Sequence, residues 1–251
     1  MSSKYIERYQ LLKSRSAKDW WTATFGDPVS WIILAAIADW KLINPNLLTV
    51  LTFLSKVASS ALIAFGGDRS MVITGAVLLQ IGVLFDHMDG NLARYRNTTT
   101  MKGGFMDRIL DGISILIIFS ALSWHVYLNG NPAYYLMLGP STASFYLIIC
   151  YMYWSYGFYE HKTQGKSVKV NPGAKDLKKR QISTLSYIIE GQKKIFNFNH
   201  IDYYFWISFS IILNQPTIVL WFLFIIIGYK VIDRFKMRMN HLDRLDQGKS
   251  L

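Results

Sequence analysis

The fold class this sequence predicts is an all-α polytopic membrane protein, with an N-terminal interfacial amphipathic helix followed by six transmembrane helices. Three observations carry it. The 251-residue chain is 51% hydrophobic and only 17% charged, where an average soluble domain has about 25% charged residues. The charges are also uneven: 46–66 holds only Lys56, while 133–156 and 216–229 hold none. Finally, the basic residues collect in alternate connections, as the positive-inside rule requires. A disordered chain and a secreted disulfide scaffold are excluded, because the apolar content is high and Cys150 has no partner cysteine. The net charge of +11 reads as membrane topology, so no nucleic-acid partner is expected.

A bilayer-crossing helix needs about 20 mostly apolar residues. Residues 46–66, 71–97, 103–127 and 132–156 meet that length, the third with Asp107, Arg108 and Asp111 near its start. Residues 201–213 are short for a span, and 216–232 form the sixth candidate. Before them, Asp27 and Pro28 mark a helix start, and 29–43 is interrupted by Asp39 and Lys41. With Trp20, Trp21, Trp31 and Trp40 spaced along it, this region suits a helix lying among headgroups. Its apolar stretch starts too far in for a signal peptide.

Of the Lys and Arg residues, only Arg69 then falls in an outer connection and only Lys56 within a span. Both termini are expected in the cytoplasm. The chain divides into a cytoplasmic and interfacial segment (1–45), a transmembrane domain (46–235) with a basic loop at 157–200, and a cytoplasmic tail (236–251). The loop reads as a solvated segment obeying the insertion rule, or as a patch against anionic lipid.

Carboxylates are among the costliest groups to place in hydrocarbon, at roughly 2.5–3.5 kcal/mol each at a helix centre. Yet Asp86 and Asp89 lie three apart near the end of the second span, and Asp107 and Asp111 four apart at the start of the third. Each pair shares a helix face. If the two helices turn at 97–100, all four carboxylates reach the same depth within about one helical turn. Gly90 and Gly103 fall near that level, where missing side chains permit close approach. Four negative charges at one depth require either protonation or divalent cations. With oxygen ligands and no spaced His pair, the cations expected are Mg2+ or Mn2+. Two metals would leave positions open for a diphosphate, with Arg94 as a phosphate partner.

The arrangement Asp-x2-Asp-Gly-x2-Ala-Arg-x8-Gly-x3-Asp-x3-Asp, running from Asp86 to Asp111, resembles the signature of the CDP-alcohol phosphotransferases. Pro45, Asn46 and Thr49 open the first span as a Pro-Asn-x-x-Thr segment does in many members. The resemblance implies that Asp86, Asp89 and Asp107 hold two divalent cations, with Asp111 completing the site and acting as general base. It further implies that Gly90, Ala93 and Gly103 let the CDP moiety approach, that Arg94 contacts phosphate, and that Asn46 and Thr49 lie near the nucleotide. The expected reaction moves a substituted phosphate, typically phosphatidyl, from a CDP-linked lipid donor to a small hydroxyl acceptor, releasing CMP in phospholipid biosynthesis.

One rival partition has a soluble CDP-choline or CDP-ethanolamine donating to a lipid hydroxyl. An intramembrane prenyltransferase separates its aspartate motifs much further, and a transporter or scaffold would not release nucleotide. Lys56 reads as an acceptor contact or an internally paired cation, and Lys102 and Arg108 as acceptor contacts or headgroup anchors. His87 is turned off the motif face, which suits packing better than ligation. The small residues at 139–144 suggest tight helix contact and a homodimer, or a kink at Pro140. A prokaryotic inner membrane is the expected location.

Overall fold

Capping residues explain where the helices begin. The computed structural model describes residues 3–13, 19–164 and 183–246, the side chains of 160–164 excepted. The centre of the basic loop and the end of the tail therefore lie outside the described residues. Asn44 accepts from the Leu47 amide at the start of α3 (Pro45–Phe65), with Pro45 in the first turn where its missing N–H costs nothing. Asp68 does the same for Met71 at α4 (Arg69–Tyr95), and Thr100 for Gly103 at α5 (Met101–Leu128). Asn97, at φ 53°, makes the left-handed turn between α4 and α5, where the sequence places it.

Ahead of these lie α1 (Ser3–Leu12), a single π-helical turn at Thr22–Gly26, and α2 (Asp27–Ile37). After them come α6 (Tyr135–Gln164), α7 (Thr184–Gln192), α8 (His200–Ile212) and α9 (Pro216–Asp246). No strand occurs among the described residues. Among the described residues four helices are long and apolar enough to cross a membrane, namely α3, α4, α5 and the Tyr135–Tyr159 part of α6. At 1.5 Å per residue the 21-residue α3 spans about 30 Å, one hydrocarbon thickness. Leu54, Val77, Leu116 and Ile148 on these helices stay exposed, as side chains facing lipid do. The protein is an integral membrane protein. The short α8 ends at a left-handed Asn214, and α9 continues without a break through residue 235, where the sequence suggested a tail begins.

The helices enclose two apolar cores. One is built from Ile63, Leu79, Phe119, Leu122, Tyr204 and Ile207, where α3, α4, α5 and α8 meet. The other joins Leu12, Trp31, Leu34, Leu48, Met88, Leu92 and Tyr187 beneath the N-terminal segment. Trp31, expected at the headgroups, is instead fully buried, its ring 5.0 Å from that of Tyr187. Trp21 is also turned inward, donating its indole N–H to Gln80 over 2.8 Å. Of the four N-terminal tryptophans only Trp40 is exposed. The N-terminal segment folds back over α4, which provides buried surface that sequence spacing could not reveal.

α3 packs against both α4 and α5, whereas α4 and α5 scarcely touch each other. The two motif helices are thus a splayed pair wedged open by α3, and not the closed hairpin that the equal spacing suggests. Of the small residues of α6, Gly139, Thr142 and Ala143 are buried within the chain, whereas Ser144 is exposed. Gly139 donates its N–H to Ser123 Oγ over 2.7 Å, and a Cβ there would collide with the Phe119 carbonyl.

Candidate active site

The wedge between α4 and α5 is where the acidic residues converge. Successive residues turn 100° around a helix, so Asp86 and Asp89 face the wedge while Met88, Asn91 and Leu92 face the N-terminal core. Asp86, Asp107 and Asp111 all lie close enough to Asp89 to act on its charge, and Asp107 interacts in the same way with Asp86 and Asp111. Within this group one ligand atom each from Asp86, Asp111 and His200 lie within 4.8 Å of one another. Asp89 and Asp107 stand outside that tight trio. His200 is the site residue that sequence spacing missed: it opens α8, far along the chain, and nothing local links it to the motif. Asp89 is instead gripped by Thr49, whose hydroxyl donates to Asp89 Oδ2 over 2.6 Å. Thr49, expected near the nucleotide, thus holds a motif carboxylate.

Lys56 closes the cluster from α3. Its side chain is 0% exposed, and Nζ lies 2.8 Å from Asp111 Oδ1 and 3.7 Å from Asp86 Oδ1. The ammonium also lies 4.8 Å from the centre of the Tyr204 ring, a cation–π contact. Of the two sequence readings, internal pairing describes this geometry. A buried ammonium held between two carboxylates marks a place where the protein stabilises positive charge. The donor set of hard carboxylate oxygens from two helices with one imidazole fits a divalent cation.

The other face of the wedge carries the groups read as phosphate contacts. The Arg94 guanidinium folds back over Gly90, so a Cβ built on Gly90 would lie 3.2 Å from Nη1. Gly90 is therefore open space that the arginine occupies. Ala93 is half-buried beside it. Asn46 is exposed at the start of α3, its Oδ1 3.7 Å from where a Cβ on Gly103 would sit. Arg96, which could have paired with the aspartates, instead donates to the carbonyls of Ala38, Trp40 and Ile43 over 2.6–2.8 Å. It anchors the loop before α3.

Beside the trio of Asp86, Asp111 and His200, α6, α8 and α9 border an open cavity of about 160 Å³ whose lining includes Tyr146, Tyr153, His200, Lys230, Arg234 and Arg238. His200 belongs to both cavity and trio. Neither Lys102 nor Arg108 lines it. Lys102 is exposed, and Arg108 lies over the Trp154 ring at 4.5 Å, the pose of an anchored surface cation.

Comparison with known proteins places the four aspartates and Arg94 within a known family's segment. The family model for CDP-alcohol phosphatidyltransferase matches residues 42–188, the stretch that carries all four aspartates and Arg94. Over 83 residues the chain is 40% identical to a bifunctional IPC transferase and DIPP synthase of Aquifex aeolicus, covering 33% of this chain and 18% of that protein. Over 96 residues it is 36% identical to an archaetidylinositol phosphate synthase of Methanothermobacter thermautotrophicus, covering 38% of this chain and 47% of that protein. The chain thus spans less than half the length of these curated relatives. With the family model covering more than half of its residues, the chain belongs to the CDP-alcohol phosphatidyltransferase family.

Proposed function

We propose that this protein transfers a substituted phosphoryl group from a CDP-linked lipid to a hydroxyl acceptor and releases CMP. The observation that carries this reading is the convergence of Asp86 and Asp111, both inside the segment that defines the family, with His200 of α8, all within 4.8 Å of one another. Asp86, Asp89, Asp107 and Asp111 would hold two divalent cations, Mg2+ or Mn2+, with His200 beside Asp86 and Asp111. Bound there, the cations supply positive charge to neutralise the diphosphate and the departing CMP.

The remaining work falls to the side chains. Arg94, lying over Gly90, meets the donor phosphates with a planar fork of donors. Asn46 and Gly103 border the nucleotide. Lys56 occupies Asp111 Oδ1, so Oδ2 is the atom that accepts the proton of the acceptor hydroxyl. As that proton moves to Asp111, the acceptor oxygen bonds to the β-phosphorus and the bond to the CMP oxygen breaks.

The acceptor enters the cavity of α6, α8 and α9. Three cationic side chains line it, Lys230, Arg234 and Arg238, so the fitting acceptor is a polyol that itself carries a phosphate. The archaeal relative, an archaetidylinositol phosphate synthase by name, points to the same chemistry. The cavity's charge opposes the rival partition, in which a cationic choline or ethanolamine group would sit near the reacting phosphate. α8 and α9 complete a set of six spans, with the site and both termini on the cytoplasmic side. The bacterial and archaeal relatives support a prokaryotic cell membrane.

The test is CMP release from a donor-by-acceptor matrix in Mg2+ or Mn2+, with mass detection of the lipid formed. Asp111→Asn should lower turnover by about 10²–10⁴-fold, the range for a lost general base, with CDP still bound. Wild-type turnover in that variant would remove the proton-acceptor role.

A further inference from the structure

We propose that Tyr187, Asp27 and Asn91 form a buried relay that fixes the Arg94 guanidinium, so that helix α7 sets donor affinity from outside the metal site. The proposal rests on the reading of Arg94 as a donor-phosphate contact. Arg94 Nη2 donates to Asn91 Oδ1 over 2.6 Å. On its other side, Asn91 Nδ2 donates to Asp27 Oδ1 over 3.1 Å and to Ser30 Oγ over 2.8 Å. Tyr187 closes the chain, its hydroxyl donating to Asp27 Oδ2 over 2.5 Å. Asp27 is 6% exposed, Asn91 3%, Ser30 0% and Tyr187 1%.

The direction of the relay follows from donor and acceptor chemistry. Asp27 as a carboxylate can only accept, and Ser30 uses its own hydrogen on the Asp27 carbonyl, so both groups demand the NH2 end of Asn91. The amide oxygen is thereby forced towards Arg94. A reversed amide would set donors against donors. Tyr187 holds Asp27 in place, and its ring packs on Trp31 at 5.0 Å. α7 is tied to α1 as well, through the hydroxyls of Tyr9 and Thr184 at 3.0 Å. Arginine has a large rotamer entropy to lose when it clamps a phosphate. A guanidinium already oriented loses less, and the donor binds more tightly. Tyr187, Asp27 and Asn91 are thus positioning residues: they act on the substrate through Arg94.

The experiment is a double-mutant cycle read by equilibrium binding of CDP to the full-length protein in detergent with Mn2+, alongside KM and kcat for the CDP-lipid donor. Asn91→Leu should weaken CDP binding and raise donor KM about tenfold, the scale of a lost hydrogen bond to a charged group, with kcat changed less than twofold. Tyr187→Phe, which keeps the ring against Trp31, should shift both about threefold in the same direction. In an Arg94→Ala background both effects should vanish. If they persist undiminished there, or if kcat falls while KM holds, the relay is overturned while Arg94 keeps its role. If Arg94→Ala by itself leaves CDP affinity unchanged, the placement of Arg94 on phosphate fails, and the relay with it.

Discussion

Lys56→Met replaces a buried ammonium with an apolar side chain of similar length, leaving Asp86 and Asp111 to face each other without it. In the wild-type chain the ammonium is shut off from solvent, with Nζ 2.8 Å from one carboxylate and 3.7 Å from the other. Removing one partner of a buried ion pair costs about 3–5 kcal/mol, because the charge left behind has lost its compensation without regaining water. The Asp86 and Asp111 side chains keep 14% and 18% exposure, so some water reaches them and the lower end, about 3 kcal/mol, applies. A divalent cation bound at the same carboxylates restores the missing positive charge. The variant should therefore unfold at lower temperature than wild type in EDTA and recover most of the difference in saturating Mn2+. By linkage, full recovery of about 3 kcal/mol corresponds to roughly hundredfold tighter Mn2+ binding by the variant. Thermal unfolding in detergent with EDTA or Mn2+, together with direct Mn2+ titration, measures both quantities. Equal stability in EDTA, or an equal loss with and without Mn2+, would refute the idea that Lys56 and the metal stabilise the same pair of carboxylates.

Three further outcomes are expected. Gly90→Ala puts a methyl 3.2 Å from Arg94 Nη1 and displaces the guanidinium by a few tenths of an ångström; steady-state kinetics should show donor KM raised several-fold with acceptor KM unchanged. Arg234→Ala, in the cavity wall, should raise the KM for a phosphorylated acceptor about tenfold, as loss of a charge-assisted contact does, and leave CDP binding within twofold. Asp68, capping α4 in the connection that follows α3, is held below the usual carboxylate range chiefly by the Met71 amide and then by the Ser70 hydroxyl. A depressed folded value stabilises the protein above the unfolded value near 3.9 and is lost as pH falls through the folded one. Unfolding followed between about pH 5 and 2 should thus show a stability loss in wild type that is smaller in Asp68→Asn.

The chain's own order determined whatever depends on helix periodicity and on the cost of charge in hydrocarbon. Four of the six expected spans, the turn at 97–100 and the sharing of one face by Asp86 and Asp89 all follow from a 3.6-residue repeat and a bilayer of known thickness. So did the expectation of bound cations, since Asp is so costly to bury unpaired. What the tertiary structure decided is who meets whom across helices. α3 wedges between α4 and α5, and that wedge brings Lys56 to Asp111. His200 reaches the acidic pair only because α8 packs against α4, and Tyr187 reaches Asp27 only because α7 folds against the N-terminal segment. Trp31 shows the same limit, since an aromatic ring suits a headgroup layer and a protein core equally well. Spacing along a chain encodes depth and rotation on one helix, whereas contacts between distant helices arise from the shape complementarity of whole packed surfaces.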